Sequence, residues 1–327
     1  MTDEIVVSIL CLCYNHEPFI RDCLDGILMQ KTNFKFEVII HDDASTDKSA
    51  SIIKEYEEKY PDIIKPIYQT ENQYSKGVNI SKTFLHPRVK GKYIAVCECD
   101  DYWVDSEKLQ KQYDFLETHP ECVGCVGGAK IIYYANNNPP TYNFPTEKSR
   151  YVTTEEALLY GSGYPTATFF FRASQLTEND ISEGLKLSFG DYVRILNLAL
   201  HGKIYSFHEV FSVYRYGVPG SWTVRISKNI NQLISDQEQR IILFDRFNDA
   251  TNNVFKSVTE QRLIDIQFSI LLAQGNKKEL KKQPYRNMYI KKYGIIAKIK
   301  SFLAVRFPFL LKINRTFKKK ENKIVTK

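Results

Sequence analysis

The chain has 327 residues, 43% hydrophobic and 25% charged, which is ample for a sizeable folded core and excludes a disordered partner segment. Its net charge of +7 is unevenly spread: residues 277–327 carry 17 Lys and Arg against Glu279 and Glu321, which leaves residues 1–276 at −8. The basic character is therefore a property of the tail, and an anionic surface is the partner it implies.

In chain order, Ile5–Cys13 is an apolar run rich in β-branched residues and predicts a buried strand. A turn-prone stretch, Tyr14-Asn15-His16-Glu17-Pro18, follows it, and the apolar positions Phe19, Ile20, Cys23, Leu24, Ile27 and Leu28 then recur at helical spacing. A second strand at 36–41 runs into Asp42-Asp43-Ala44-Ser45-Thr46-Asp47, where Ser45 or Thr46 is expected to cap the next helix. Further strands are expected at 64–69 and 92–98, with a helix near 80–85 between them and another over 109–116. Strands alternating with helices at these lengths predict an α/β fold with a mostly parallel central sheet, whose strand ends are the place to look for ligands.

Past this half, 123–134 reads as a strand, 135–149 as a flexible loop that orders with substrate, and 164–172 and 205–215 as extended stretches. Two long helices are expected at about 226–247 and 254–274. No run of 18 uncharged apolar residues exists, which argues against a spanning helix. The division expected is a catalytic-type domain over 1–222, a helical extension over 223–292 and a basic amphipathic tail over 293–327. That tail interleaves Ile, Leu and Phe with Lys and Arg, as a helix lying in an anionic membrane surface would, although packing on its own domain is the competing reading.

The seven cysteines include Cys11, Cys13, Cys97 and Cys99, paired at strand period on one face, so core packing is expected in place of a metal or redox site. An odd count and no signal peptide before Ile5 point to a reducing cytoplasm. His16, His41, His201 and His208 lack metal-ligand spacing and are expected in turns or core.

Two acidic clusters carry the chemistry. Glu98-Cys99-Asp100-Asp101 follows an apolar strand directly, and carboxylates crowded there repel unless a cation or donor-rich ligand joins them. Mg²⁺ or Mn²⁺ with a diphosphate satisfies that requirement. Asp42-Asp43 at the second strand end fits contact with a nucleobase or ribose, or a helix start. Lys76, Arg172 and Arg215 are weaker candidates for a diphosphate or anionic acceptor, and Trp222 is a candidate lip over the acceptor.

The stretches VSILCLCYNHEPFIRDCLDGIL, FEVIIHDDASTDKS, ENQYSKG, GKYIAVCECDDYWVDSEKLQKQ and FGDYVRILNLALHG resemble the family 2 glycosyltransferases of GT-A fold that build bacterial surface polysaccharides. The resemblance covers Val6 to Trp222 and implies transfer from a nucleotide diphosphate sugar, with a UDP-sugar favoured, to a glycan or lipid-linked glycan hydroxyl. It implies nucleotide contact by Cys13, Tyr14, Asn15, Asp43 and Asp100, metal contact by Asp100 and Asp101 with Glu98 in support, and Asp191 as general base in one inverting displacement. The family's Glu-Asp pair is here Gly190-Asp191, and in residue physics alone Asp191 also reads as an N-cap. A peripheral place on the inner face of the cytoplasmic membrane is expected.

A dehydrogenase or nucleotidyltransferase is disfavoured because no Gly-rich phosphate loop follows the first strand. Nucleic acid is not expected as a partner, since the acidic clusters would repel it. A non-catalytic scaffold of the same fold is the remaining alternative.

Overall fold

The computed structural model describes residues 4–134, 138–160, 163–176, 180–185, 187, 189–221, 223–225 and 229–292. Trp222 and the tail from 293 onward lie outside the described residues. The chain divides into two compact units, residues 1–259 and 260–327.

In the first unit, strand β1 (Ile5–Cys13) is apolar on both faces and takes the position such a strand requires, between two parallel neighbours. It pairs with β2 (Lys35–Asp42) and β4 (Tyr93–Val96), and β2 pairs with β3 (Ile64–Tyr68). All four strands therefore end on one edge. The remaining strands are β5 (Tyr102–Trp103), β6 (Cys122–Tyr133), β7 (Thr141–Asn143), β8 (Arg150–Val152), β9 (Phe170–Arg172) and β10 (Lys203–Tyr216). The path is β3-β2-β1-β4-β9-β6-β10-β5, with β7 on β6 and β8 on β10. Because β9 is antiparallel to both β4 and β6, β6 and its parallel partner β10 point the same way as β1, and their carboxyl ends reach the same edge.

Helices α1 (Ile20–Leu28), α2 (Ser49–Lys59) and α3 (Lys108–Thr118) share one apolar cluster with Val7, Ile9, Cys11 and Cys125 of the sheet. Adjacent strand residues face opposite ways. Gly124 meets Leu198 of helix α5 (Gly190–His201), so α5 covers the other face. All seven cysteines are buried and unpaired, and at 3.7 Å the Cys23 thiol touches that of Cys97, as core packing predicts.

The structure departs from expectation in the middle of the chain. The expected flexible loop 135–149 contains β7, which pairs with Ala129–Ile131 and is held by Asn143 Nδ2 donating to Gly163 O at 2.7 Å. Strand β8 and helix α4 (Thr154–Tyr160) follow, and the expected strand 164–172 is a turn at Thr166–Thr168 before the three residues of β9. Segments this short show too few alternations to be read by period. The helix expected near 80–85 is one wide turn, Ser81–Leu85.

The long helices are Ile230–Ala250 and Lys256–Ala273. In the second unit, Phe268, Leu271 and Leu280 form a small apolar cluster flanked by Tyr285 and Met288. Among the described residues no helix is long and apolar enough to cross a membrane.

Candidate active site

The pairing of β4 with β1 continues past Val96: Cys97 and Cys99 N–H donate to Leu10 and Leu12 O, both at 3.1 Å. That buries both thiols and leaves Glu98 and Asp100 on the alternate side. Asp101 N–H then donates to Glu98 O at 2.9 Å and closes a turn. The result is a cluster of Glu98, Asp100 and Asp101 whose carboxylate oxygens lie within 4.8 Å of one another. Burial, then the charge of Asp100, then that of Asp191 push the Glu98 carboxyl up to about 7. Burial and Asp100 likewise hold Asp101 well above the usual carboxylate range. Three acids this close cannot all ionise alone, and as hard oxygen donors they fit a divalent cation of the Mg²⁺ or Mn²⁺ class.

Arg215 at the end of β10 braces this turn. Its backbone N–H donates to Asp101 Oδ1 at 2.9 Å and its Nη1 to Asp100 O at 2.8 Å, while Nη2 pairs with the Asp22 carboxylate. The guanidinium lies 4.4 Å from the Tyr102 ring centroid and 5.2 Å from that of Phe19. Its charge is therefore engaged by the protein, as in a structural ion pair. Arg172 is also structural: it donates to Cys122 O, Leu116 O and the Tyr93 hydroxyl, tying α3 to the sheet. Lys76 pairs with Glu71 on the surface.

The loops after β1 and β2 are stitched together. Asn15 N–H donates to Ser45 Oγ at 2.9 Å and Asn15 Oδ1 accepts from Thr46 N–H at 2.8 Å. His16 N–H donates to Ser49 Oγ at 2.8 Å, and Glu17 N–H to Asp47 Oδ2 at 3.0 Å. Ser45 and Thr46 therefore serve the neighbouring loop and not the start of α2, where Asp47 Oδ1 instead accepts from Ser49 N–H at 2.9 Å. Asn15 and Ala44 both have positive φ, 56° and 60°. Ala rarely adopts this conformation, and strained positions of this kind gather at ligand sites.

Asp43 is buried at the head of its loop. Its carboxylate accepts from Gln73 and Tyr74 N–H at 2.8 and 3.0 Å, and its own N–H donates to Cys13 O at 3.0 Å. Cys13 is buried, whereas Tyr14 and Asn15 are exposed at the rim. Asp43 follows β2 and Asp100 follows β4, the two strands that flank β1, so their loops are two strand spacings, about 10 Å, apart.

Asp191 lies within electrostatic reach of Glu98. Phe189 is the N-cap of α5, so Asp191 sits inside the first turn and does not cap it; its Oδ1 accepts from Tyr192 N–H at 2.8 Å. Burial raises its carboxyl, against the lowering effect of Tyr192 N–H and the Arg194 charge. A Cβ on Gly190 would meet nothing within 4 Å, so the missing Glu is not a matter of space.

Two further side chains join this site: His16, expected from the sequence only as a turn or core histidine, and Arg194, which sequence reasoning passed over. His16 faces the acids: burial alone would lower its pKa, but the Cys13 thiol and the charges of Asp100 and Glu98 raise it overall. Arg194, beside the Phe169 and Phe171 rings at 5.7 and 5.6 Å, counters both Asp191 and Glu98. Its spacing of three from Asp191 on one helix was the available signal.

Residues 8–177 match the glycosyl transferase family 2. The chain belongs to that family. This glycosyltransferase-family chain is 35% identical over 216 residues to an uncharacterised protein of Mycobacterium tuberculosis, covering 66% of its own length and 60% of that relative's. The chain thus spans about three fifths of the length of that relative. A segment of 113 residues, 35% of this chain and 42% of the other, is 35% identical to the UDP-Glc:alpha-D-GlcNAc-diphosphoundecaprenol beta-1,3-glucosyltransferase WfaP of Escherichia coli. Among solved structures, the mannosyltransferase PcManGT of Pyrobaculum calidifontis, in complex with GDP-Man and Mn²⁺, superposes with a TM-score of 0.51 at 17% identity, over 92% of this chain and 88% of that one. The fold is GT-A, α/β with a helical C-terminal region.

Proposed function

We propose that the chain is an inverting, metal-dependent glycosyltransferase that moves a sugar from a UDP-sugar to a hydroxyl of a lipid-linked glycan during surface polysaccharide synthesis. The observation that carries the reading is the cluster Glu98, Asp100 and Asp101 within electrostatic reach of Asp191 on one sheet edge. The likeness to WfaP supports the UDP donor and the lipid-linked acceptor, and that to PcManGT supports the metal.

In this reading the base and ribose lie along Cys13, Tyr14, Asn15 and Asp43, and Asp100 and Asp101 hold Mn²⁺ or Mg²⁺ with Glu98 in support. A divalent ion bound there supplies positive charge against the diphosphate leaving group. Arg215 fixes the turn that presents these carboxylates. Asp191 takes the acceptor proton, and its raised carboxyl pKa makes it a better base than an ordinary aspartate. Arg194 offsets part of the burial that raises the Asp191 and Glu98 carboxyls. One attack opposite the leaving group needs no enzyme nucleophile and inverts the anomeric centre. The basic tail, 293–327, would hold the protein on the inner face of the cytoplasmic membrane, with residues 1–222 as the transferase domain and 223–292 as its helical extension.

The test is donor cleavage. Purified protein incubated with Mn²⁺ and a panel of UDP-, GDP- and TDP-sugars should release nucleoside diphosphate from one of them, and Asp101→Ala should abolish the release. Absence of cleavage across the panel, or cleavage undiminished in chelator, defeats the proposal.

A further inference from the structure

On the face of the sheet covered by α5, β7 and the end of α4 border an open groove of about 630 Å³, within the roughly 300–1,000 Å³ usual for small-ligand sites. Its walls hold Tyr142, Leu159 and Tyr160, exposed by 59, 45 and 42%. Three large apolar side chains facing water around one concavity call for a ligand with an apolar face.

The groove is preformed. Phe144 stacks on His208 with centroids 4.1 Å apart, and it occupies the space beside Gly128, where a Cβ would lie 2.4 Å from its ring. The Tyr160 hydroxyl donates to Asn143 Oδ1 at 3.0 Å, which fixes that ring. Arg150 pairs with Glu156 at 2.6 Å and with Glu147 at 3.2 Å, so one cation stands against two carboxylates in the lining. The local charge is negative, which disfavours phosphate, nucleic acid and anionic lipid. Aromatic faces beside planar hydrogen-bonding groups suit a pyranose, which has an apolar face and a rim of hydroxyls.

The position of the groove says which sugar. Leu158, next to Leu159 in the wall, accepts at its backbone O from the Tyr192 hydroxyl at 2.7 Å, and Tyr192 follows Asp191. One hydrogen bond thus ties the chain segment of the groove wall to the first turn of α5, the turn that carries Asp191. We propose that it binds the distal sugars of the acceptor, an uncharged oligosaccharide whose reacting end is presented to Asp191. The acceptor role rests on the transferase reading above.

The probes are an array of neutral hexasaccharides built of hexoses or N-acetylhexosamines, with a hyaluronan hexasaccharide and a DNA oligomer as anionic controls. The full chain should retain at least one neutral hexasaccharide. The double variant Tyr142→Ala with Leu159→Ser should lose about tenfold or more in affinity, whereas Tyr142→Phe, which keeps the ring, should hold it; UDP binding and Tm should be unchanged in both. Retention of no neutral hexasaccharide, equal retention by the double variant, or preference for the anionic controls overturns the proposal. Loss of donor cleavage across all nucleotide sugars, with hexasaccharide binding intact, would instead remove the transferase reading and leave the sugar site standing.

Discussion

Lys108 is wholly buried, and replacing it should change how stability depends on pH. Its Nζ donates to Gln112 Oε1 at 2.8 Å and sits 4.1 Å from the Trp103 ring centroid. Burial pulls its pKa down from 10.5 to about 7. The unfolded chain then holds more protons than the folded one between about pH 7 and 10.5, so stability rises with pH across that window and the full penalty stands below it. At 1.36 kcal/mol per pH unit, Lys108 alone should add about 2 kcal/mol of stability between pH 7 and about pH 9. Lys108→Met keeps the volume, removes this slope and leaves Gln112 Oε1 without its donor, a loss of about 1 kcal/mol. Urea unfolding of both proteins at several pH values checks this. The variant should be the more stable near pH 7, with its advantage shrinking by about 2 kcal/mol towards pH 9; parallel curves would show that the buried amine keeps its proton in the fold.

Asp191→Asn should leave nucleotide-sugar affinity nearly intact and cut turnover by about 100-fold or more, the low end for losing a general base; near-normal turnover in steady-state kinetics removes Asp191 from the mechanism. Arg215→Lys keeps the charge but loses the planar fork that spans Asp100 O and Asp22. The Mn²⁺ concentration for half-maximal donor cleavage should rise about tenfold, and an unchanged metal titration would make the brace unimportant to the turn. Removing residues 293–327 should abolish partitioning onto anionic vesicles, at about 1 kcal/mol per basic residue near the surface; unaltered partitioning in a flotation assay would place membrane contact elsewhere.

The strands nearest the site were legible because they are apolar on both faces and end in acids: Ile5–Cys13, Lys35–Asp42 and Tyr93–Val96 sit within a few residues of their expected places. What those acids do locally was not legible. Ser45 and Thr46 look like caps in a linear chain, yet their partners lie about thirty residues away on another loop. His16 has no neighbouring ligand in sequence, and only the β1–β4 pairing brings it to Asp100 and Glu98. Helix α4 did carry a readable sign. Thr153 and Glu156 form a reciprocal capping box, with Thr153 N–H to Glu156 Oε2 at 2.9 Å and Glu156 N–H to Thr153 Oγ1 at 3.1 Å. The Asn- and Pro-rich stretch just before it masked the sign. Lys108 could not be foreseen, because a lysine on an amphipathic helix ordinarily reaches water.

The mutual fastening of the loops after β1 and β2 bears on how this scaffold can be re-engineered. Ser45, Thr46, Asp47 and Ser49 each bond the opposing loop, directly or through Asn15, His16 and Glu17. Grafting either loop alone from a relative would strand several donors and acceptors on the one left behind. A change of nucleotide preference on this framework is therefore a transplant of two segments at once.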